Sequence, residues 1–216
     1  MGRLKQGQWG GFLSIFFWLA ICGCAQAVDL DKPQTVLILG DSLSAGFGLE
    51  IEEAYPALLQ KKADDLGLAV KIQNEGVSGD TTAGGVARLE WLLQEPVGVL
   101  LLELGTNDAL RGLPLDSAEE NLQQIIDVVR KHSPSVKIVI AGMMLPPNYG
   151  EAYAREFKEI FPRIAKKNGA TLIPFLLEGV AGNPLLNFPD RLHPNRAGQK
   201  VIADTVWKYL EPVLKQ

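Results

Sequence analysis

The sequence has few of the residues that form disulfides and thiol sites. Among its 216 residues there are only two cysteines, Cys22 and Cys24, and both lie close to the N-terminus. If residues 1–27 are removed, the remaining chain cannot use disulfides, thiol catalysis or cysteine-bound metal. Its stability must then come from a hydrophobic core, and a chain near 150 residues already buries roughly 68–70% of its unfolded surface.

Positive charge clusters and long hydrophobic runs are also missing. The net charge is −4 and no stretch concentrates lysine and arginine, so nucleic acid is not expected as a partner. The apolar stretch at 12–21 is shorter than a typical transmembrane helix, which needs about 20 apolar residues. No internal repeat, low-complexity tract or linker divides the chain, and we expect residues 28–216 to form a single domain.

The first residues have the pattern of a secretory signal peptide. Two basic residues precede the apolar stretch at 12–21, and Ala25-Gln26-Ala27 fits a small-residue cleavage site. Removal of residues 1–27 predicts a periplasmic or secreted protein without a stable membrane anchor. In the alternative interpretation, Cys22 or Cys24 is lipid-modified and becomes the first residue of a membrane-tethered protein.

Short apolar runs alternate with segments that are long enough for helices. The predicted strands are 35–39, 69–73, 97–104, 136–141 and 170–175. The predicted helices are 54–66, 83–94, 117–131, 149–168 and 195–214, and Ser117 with Glu120 fits a capping box for the third. This alternation predicts a parallel sheet joined by right-handed crossovers. We therefore expect an α/β fold, a three-layer α/β/α sandwich with strand order 2-1-3-4-5.

Ser42 comes directly after the first predicted strand, within Gly40-Asp41-Ser42-Leu43-Ser44. Ligand sites in open α/β sheets lie outside the carboxyl ends of the strands, so this hydroxyl is placed as a nucleophile would be. A serine after Gly-Asp is also common in turns, where it caps the next helix. The Gly-x-Ser-x-Gly elbow of the α/β-hydrolases is missing, because Ser44 stands at the last glycine position.

An Asp-x-x-His motif near the C-terminus offers a base for this serine. Asp190 and His193 lie three residues apart in a polar stretch between two prolines, so one turn can present both side chains to the same point. The carboxylate can then accept a hydrogen bond from one imidazole nitrogen while the other faces Ser42. On its own, an Asp-x-x-His motif more often belongs to a solvent-exposed loop than to a catalytic site. The second histidine, His132, fits an exposed cation at a helix end.

Two further positions offer donors for an oxyanion. Gly79 follows the second strand, and its missing side chain lets its backbone N–H approach a ligand closely. Asn107 follows the third strand, and its amide can donate to the same oxygen together with the N–H of Ser42. Each residue also has an ordinary structural explanation. Gly79 can be a turn glycine, and Asn107 can form an Asx turn. Because all these motifs follow strands of one parallel sheet, we expect them on one rim of it.

With these motifs the chain resembles the GDSL, or SGNH, hydrolase family. The matching segments are Gly40-Asp41-Ser42-Leu43-Ser44, Gly79, Gly105-Thr106-Asn107-Asp108 and Asp190-Arg191-Leu192-His193-Pro194. The resemblance covers nearly all of residues 28–216. Asn107-Asp108-Ala109-Leu110-Arg111-Gly112 and Leu145-Pro146-Pro147-Asn148-Tyr149-Gly150 make it similar to the small periplasmic group of thioesterases, lysophospholipases and arylesterases within that family.

The resemblance implies a role for each of these residues in a flavodoxin-like sandwich that uses no metal and no cofactor. It implies Ser42 as nucleophile, His193 as base, Asp190 as the residue that orients the base, and Ser42, Gly79 and Asn107 as the oxyanion hole. It also implies substrate contacts from Asp41, Leu145 and Pro146, with the loop at 144–150 covering the acyl chain. Thr106 departs from the glycine that such relatives often carry.

These features predict a monomeric serine hydrolase that cleaves small-molecule acyl esters and thioesters through an acyl-enzyme intermediate. One alternative is a carbohydrate O-acetylesterase, which would use the same groups in a shallower, more polar pocket. A second alternative, of another class, is a binding protein that keeps the fold but has no activated serine.

Overall fold

A five-stranded parallel sheet forms the middle layer of the fold. The structure, a computed structural model, describes residues 1–2 and 32–216, so the signal-peptide features and both cysteines lie outside the described residues. The strands are β1 (Gln34–Gly40), β2 (Val70–Gly76), β3 (Val99–Glu103), β4 (Lys137–Ala141) and β5 (Thr171–Ile173). Their order is β2-β1-β3-β4-β5, which confirms the predicted α/β topology.

Helices cover both faces of this sheet. They are α1 (Ser42–Ala45), α2 (Tyr55–Asp65), α3 (Thr82–Leu92), α4 (Thr106–Leu110), α5 (Leu115–His132), α6 (Glu151–Asn168) and α7 (Arg196–Leu214). Helix α2 contacts α7, whereas α3, α5 and α6 contact one another in series. These two groups form the outer layers of the predicted sandwich. The short helices α1 and α4 were not predicted, and both begin directly beside the expected site.

Among the boundaries that differ from the sequence prediction, three have a clear physical reason. Strand β5 stops at Ile173 because Pro174 follows and has no N–H for the ladder. Strand β2 continues to Gly76 because its polar end still pairs with the end of β1. The capping box is wrong: α5 begins at Leu115 with no side-chain cap, since Leu115 is buried and starts the helix before Ser117.

The core lies on both sides of the two central strands. The four residues Val36 to Leu39 of β1 have no solvent exposure, and β3 is buried along its whole length. Apolar runs of this kind are typical of parallel strands covered on both faces. Among residues 1–2 and 32–216, none of the helices is apolar over a length sufficient to span a membrane.

The pairing register brings the loops of the expected site to one edge. Gly40 of β1 pairs with Gly76 of β2 on one side and with Glu103 of β3 on the other. The three strands therefore end level with one another. As a result, the segments that carry Ser42, Gly79 and Asn107 leave the sheet side by side.

Candidate active site

Ser42 lies where β1 turns into α1. Asp41 is the N-cap of this helix, and its carboxylate accepts a hydrogen bond from the Leu43 N–H at 2.9 Å. Gly46 ends the helix after one turn in the left-handed conformation. The result is a strand, a capped turn and a short helix, which hold the half-buried Ser42 hydroxyl at the edge of the sheet.

The structure brings Asp190 and His193 to this serine. His193 Nε2 lies 3.1 Å from Ser42 Oγ, and His193 Nδ1 lies 2.7 Å from Asp190 Oδ2. Both distances are in hydrogen-bonding range. The arrangement fits a nucleophile, a base and an orienting carboxylate. His132 lies elsewhere, in the last turn of α5, where it is exposed as expected.

Backbone hydrogen bonds shape the loop that carries His193. The Phe188 N–H donates to the His193 carbonyl at 2.8 Å, and the Arg191 N–H donates to the Phe188 carbonyl at 2.9 Å. Arg191 has a φ of 60°, the only positive value at a non-glycine residue in the described part of the chain. Left-handed backbone is strained for an arginine, so this turn is held by the contacts around it.

The Asp190 carboxylate is held by the same loop. Its Oδ1 accepts from the backbone N–H groups of Leu192 and His193 at 2.9 and 3.0 Å. Partial burial acts to raise the pKa of Asp190, but the hydrogen bonds from His193 and Leu192 outweigh it and hold that pKa below its ordinary value. A carboxylate that stays charged can stabilise a protonated imidazole.

Phe47 supports the imidazole from the side. Its ring centroid lies 4.2 Å from that of His193, with the ring planes tilted by 30°. Such a contact restricts rotation of the imidazole. Sequence reasoning did not identify Phe47, because a single aromatic residue between two glycines has no periodic or motif signal.

Asn107 lies in α4 and is oriented by Asp41. Its Nδ2 donates to Asp41 Oδ2 at 3.0 Å. The next residue, Asp108, is buried and fixes α4 against the start of α3, because it accepts from the Thr82 N–H at 2.9 Å and from the Thr82 hydroxyl at 2.6 Å. Helix α4 and the amide of Asn107 are therefore held by two separate carboxylates.

Gly79 lies in the loop after β2 with a φ of 81°, a conformation that favours glycine. Its carbonyl accepts from Arg111 Nη2 at 2.5 Å, and the Val77 N–H of the same loop donates to the Gly40 carbonyl at 3.1 Å. These bonds tie the loop to both neighbouring segments. Gly79 does not line the cavity beside Ser42, in contrast to Asn107.

A cavity of about 640 Å³ opens beside Ser42, His193 and Asn107. Its wall is mainly apolar and includes Leu43, Leu110, Met143, Met144, Leu145, Pro146, Phe175, Leu177 and Leu192. Leu145 and Pro146 therefore lie where substrate contacts were expected. Asp41 also borders the cavity, but it is only 1% exposed, and both its carboxylate oxygens accept hydrogen bonds.

A buried polar network lies beneath the serine and was missed by sequence reasoning. Glu103 Oε2 accepts from the Asp41 N–H at 3.1 Å and from the Ser44 hydroxyl at 2.7 Å. The Tyr55 hydroxyl lies 2.7 Å from Ser44 Oγ. A Cβ at Gly40 would lie 2.6 Å from Glu103 Oε2, so the glycine makes this approach possible. The available signal was an acid within the apolar run at 97–104.

Burial changes the titration of this network. Burial raises the pKa of Asp41 to about 6, against the hydrogen bond from Leu43 and the charge of His193. Burial and the neighbouring Asp41 also raise the pKa of Glu103 well above its ordinary range. Burial is also the main cause that raises the pKa of Tyr55.

A second groove, of about 650 Å³, lies between α5 and α6. Its wall includes the acidic residues Asp116, Glu119, Glu120 and Asp127 but none of the expected site residues. In the described parts of the chain, no group of three or more His, Cys, Asp or Glu side chains is placed to hold a metal ion.

Known proteins are similar to this chain in sequence. The chain is 38% identical to Esterase TesA of Pseudomonas aeruginosa over 200 residues, which cover 91% of this chain and 98% of that protein. It is 40% identical to Thioesterase 1/protease 1/lysophospholipase L1 of Escherichia coli K12 over 181 residues, 83% of this chain and 85% of that protein.

A solved structure extends this likeness to three dimensions. The psychrotrophic esterase EstA from Pseudoalteromonas sp., inhibited by monoethylphosphonate, superposes with a TM-score of 0.79 at 35% identity. The match covers 85% of this chain and all of that one. The model of the GDSL-like Lipase/Acylhydrolase family matches residues 38–201, which include Ser42, Gly79, Asn107, Asp190 and His193. The chain therefore belongs to the GDSL-like lipase/acylhydrolase family.

Proposed function

We propose that this protein is a serine hydrolase that cleaves acyl esters and thioesters, with Ser42, His193 and Asp190 as its catalytic residues. The observation that carries the proposal is the continuous contact from Ser42 Oγ through the imidazole to Asp190, at 3.1 and 2.7 Å. The family membership and the names of the relatives, an esterase and a thioesterase/lysophospholipase, support the same reaction class.

In the first half-reaction Ser42 Oγ attacks the acyl carbonyl while His193 Nε2 takes the hydroxyl proton. Asp190 stays charged and stabilises the imidazolium that forms. Collapse of the tetrahedral intermediate passes the proton from His193 to the departing alcohol or thiol. The acyl group is then bound to Ser42 as an ester.

In the second half-reaction His193 takes a proton from water, which attacks the acyl-enzyme. The second tetrahedral intermediate breaks down as His193 returns the proton to Ser42 Oγ and the acid is released. In both halves the Asn107 amide and the backbone N–H groups of Ser42 and Gly79 are the proposed donors to the oxyanion. Asp41 orients Asn107 in this proposal and does not bind substrate.

The apolar wall of the cavity favours medium or long acyl chains over acetyl groups. Leu43, Leu110, Met143, Leu145 and Leu177 offer an alkyl chain a surface without hydrogen-bonding groups. Each methylene buried there contributes about 0.8 kcal/mol. Rates on p-nitrophenyl esters from acetyl to decanoyl test this. Rates that fall steadily with chain length would favour the O-acetylesterase alternative.

The decisive experiment replaces Ser42 by alanine. We expect hydrolysis of p-nitrophenyl butyrate to fall by up to about 10⁶-fold, as for other serine nucleophiles, and labelling by a fluorophosphonate to disappear. A Ser44→Ala variant shows whether labelling is specific to position 42. Wild-type protein that neither hydrolyses esters nor reacts with the phosphonate would support the binding-protein alternative and refute the proposal.

We further propose that the protein is exported, loses residues 1–27 and acts as a monomer outside the cytoplasm. The support is the order of basic, apolar and small residues in that segment. Mass spectrometry of the protein from its host tests export, because cleavage gives a chain that starts at Val28. A lipid-modified Cys22 or Cys24 at the N-terminus would contradict this proposal. Sedimentation of the cleaved protein tests the monomer.

A further inference from the structure

Glu103 is an acid buried in the core. It ends β3 and is 0% exposed. None of the ion pairs among the described residues involves it. Arg88 donates to the carbonyl of Gly40, the strand partner of Glu103, at 3.2 Å, but its ion pair is with Asp80 at 2.8 Å. A carboxylate isolated in this way is costly, and such groups usually take up a proton.

The two oxygens of Glu103 have different surroundings. Oε2 accepts two hydrogen bonds, from the Asp41 N–H at 3.1 Å and from the Ser44 hydroxyl at 2.7 Å. The Ser44 proton is used in that bond, so the Tyr55 hydroxyl must donate to Ser44 Oγ across their 2.7 Å contact. Oε1 is buried and has no donor among the described residues. It is the oxygen that can carry a proton.

Asp41 is the acid beside Glu103. Its backbone N–H donates to Glu103 Oε2 at 3.1 Å, and neither side chain takes part in an ion pair among the described residues. Two buried carboxylates that lie close together repel each other when both are charged, and a proton on one of them removes that repulsion. Asp41 in turn accepts from the Asn107 amide at 3.0 Å and from the Leu43 N–H at 2.9 Å.

We propose that Glu103 is a positioning residue which, as a neutral carboxylic acid, fixes the turn that carries Ser42 and keeps the Asp41 carboxylate in place to orient Asn107. A charged Glu103 would repel the Asp41 carboxylate. The other ionisable groups that face the pair are Tyr55 from α2, Asp80 from the loop after β2 and His193 from the loop before α7. Of these groups, only His193 can carry a positive charge, and that charge lowers the pKa of Asp41.

The kinetic test compares two replacements and rests on the proposed esterase function. Glu103→Gln keeps an acceptor for the Asp41 N–H and the Ser44 hydroxyl and carries no charge, so kcat should stay within roughly threefold of wild type. Glu103→Ala removes this acceptor, and we expect kcat on p-nitrophenyl butyrate to fall by about 10²-fold with little change in KM, as for small misplacements of catalytic groups. Ile126→Ala, a core variant in α5, is the control for general destabilisation and should keep its kcat.

Three kinetic outcomes would overturn the proposal. They are a Glu103→Gln enzyme as slow as Glu103→Ala, a Glu103→Ala enzyme as fast as wild type, and an Ile126→Ala enzyme that loses kcat as strongly as Glu103→Ala. A side chain with a merely structural role would change stability without the kcat loss or its rescue by glutamine. If Glu103→Ala does not fold, the glutamine variant and the spectroscopic test below still decide.

Infrared spectroscopy tests the protonation state without any substrate. At pH 7.5 the difference between wild type and Glu103→Gln should contain the C=O band of a protonated carboxylic acid, present only in wild type. A carboxylate band in its place would overturn the proposal. If wild type showed the protonated band but hydrolysed no ester, the proposed function would fail while the state assigned to Glu103 stood.

Discussion

The two sides of the Ser42 hydroxyl are built in opposite ways. On one side, the proposed base and its orienting acid lie on a loop near solvent, where Asp190 is exposed and His193 is half-buried. On the other, Asp41, Ser44 and Glu103 are at most 1% exposed and are held in the core. The imidazole that changes charge in the proposed reaction is therefore near water, whereas the groups that hold the geometry of the Ser42 turn are not.

This difference has a physical reason. An imidazole that gains a proton in each half-reaction needs a nearby charge and access to solvent, which a loop provides. Groups that orient a nucleophile and an amide gain from burial, because hydrogen bonds in a low-dielectric interior are stronger and need no reorganisation. Substitutions on the two sides should accordingly change different quantities.

The largest effect is expected on the exposed side. Asp190→Asn should lower kcat by about 10⁴-fold, because an amide can hold the imidazole in the wrong tautomer. The measurement is steady-state hydrolysis of p-nitrophenyl butyrate. Asp204→Asn, which removes an exposed acid of α7 that pairs with Lys62, is the control and should leave kcat unchanged. A loss of less than tenfold for Asp190→Asn would remove this acid from the proposed triad.

Asn107 connects the two sides, and its loss should have an intermediate effect. Asn107→Ala removes one proposed oxyanion donor, which typically lowers kcat by about 10²–10³-fold. KM should change little, because the donor acts mainly on the transition state. Leu110→Ala on the same helix provides a contrast, since it enlarges the apolar wall and should act on KM for long acyl chains. If Asn107→Ala instead raised KM and left kcat unchanged, Asn107 would act in substrate binding only.

The buried side should be visible in the pH dependence of stability. Because the pKa of Asp41 is about 6 in the folded protein, above its ordinary 3.8, the folded state binds more protons and the free energy of unfolding decreases as pH rises through 6. Asp41→Asn removes this titration. Relative to wild type, its free energy of unfolding should improve by about 2–3 kcal/mol between pH 4 and pH 8. Urea unfolding at several pH values measures this, and parallel curves would contradict it.

The smallest effect concerns the strained turn in the loop that carries His193. Arg191 adopts a φ of 60°, so Arg191→Gly should raise the free energy of unfolding by about 0.5 kcal/mol. Arg191→Ala keeps the Cβ and should give no such gain. Thermal unfolding of the three proteins separates the outcomes. Equal stabilities for glycine and alanine would mean that the turn stores no strain.

Sequence reasoning picked out the residues of the exposed side and missed those of the buried side. Ser42, Gly79, Asn107, Asp190 and His193 stand out because polar residues and glycines directly follow apolar runs. The strand order followed from alternation and right-handed crossovers, and the structure confirms it. The ends of β2 and β5 were less predictable, because pairing with β1 extends one and Pro174 shortens the other.

The buried network had only a faint signal. Glu103 was one acid within an apolar run, Ser44 was a departure from an elbow motif, and Tyr55 was a residue at the start of a helix. Their hydrogen bonds join residues that are 11 and 59 positions apart. Long-range polar contacts of this kind depend on register and packing, which local patterns do not contain.

The amino-acid sequence by itself determined the fold class, the strand order and the edge of the sheet where the proposed site lies, because hydrophobic periodicity and crossover handedness allow few other arrangements. Only the tertiary structure decided that His193 reaches Ser42 across 151 positions of the chain, that Phe47 packs on its ring and that Glu103 lies beneath the turn that carries Ser42. Those contacts arise when separate segments are packed together, and their distances depend on the whole folded core.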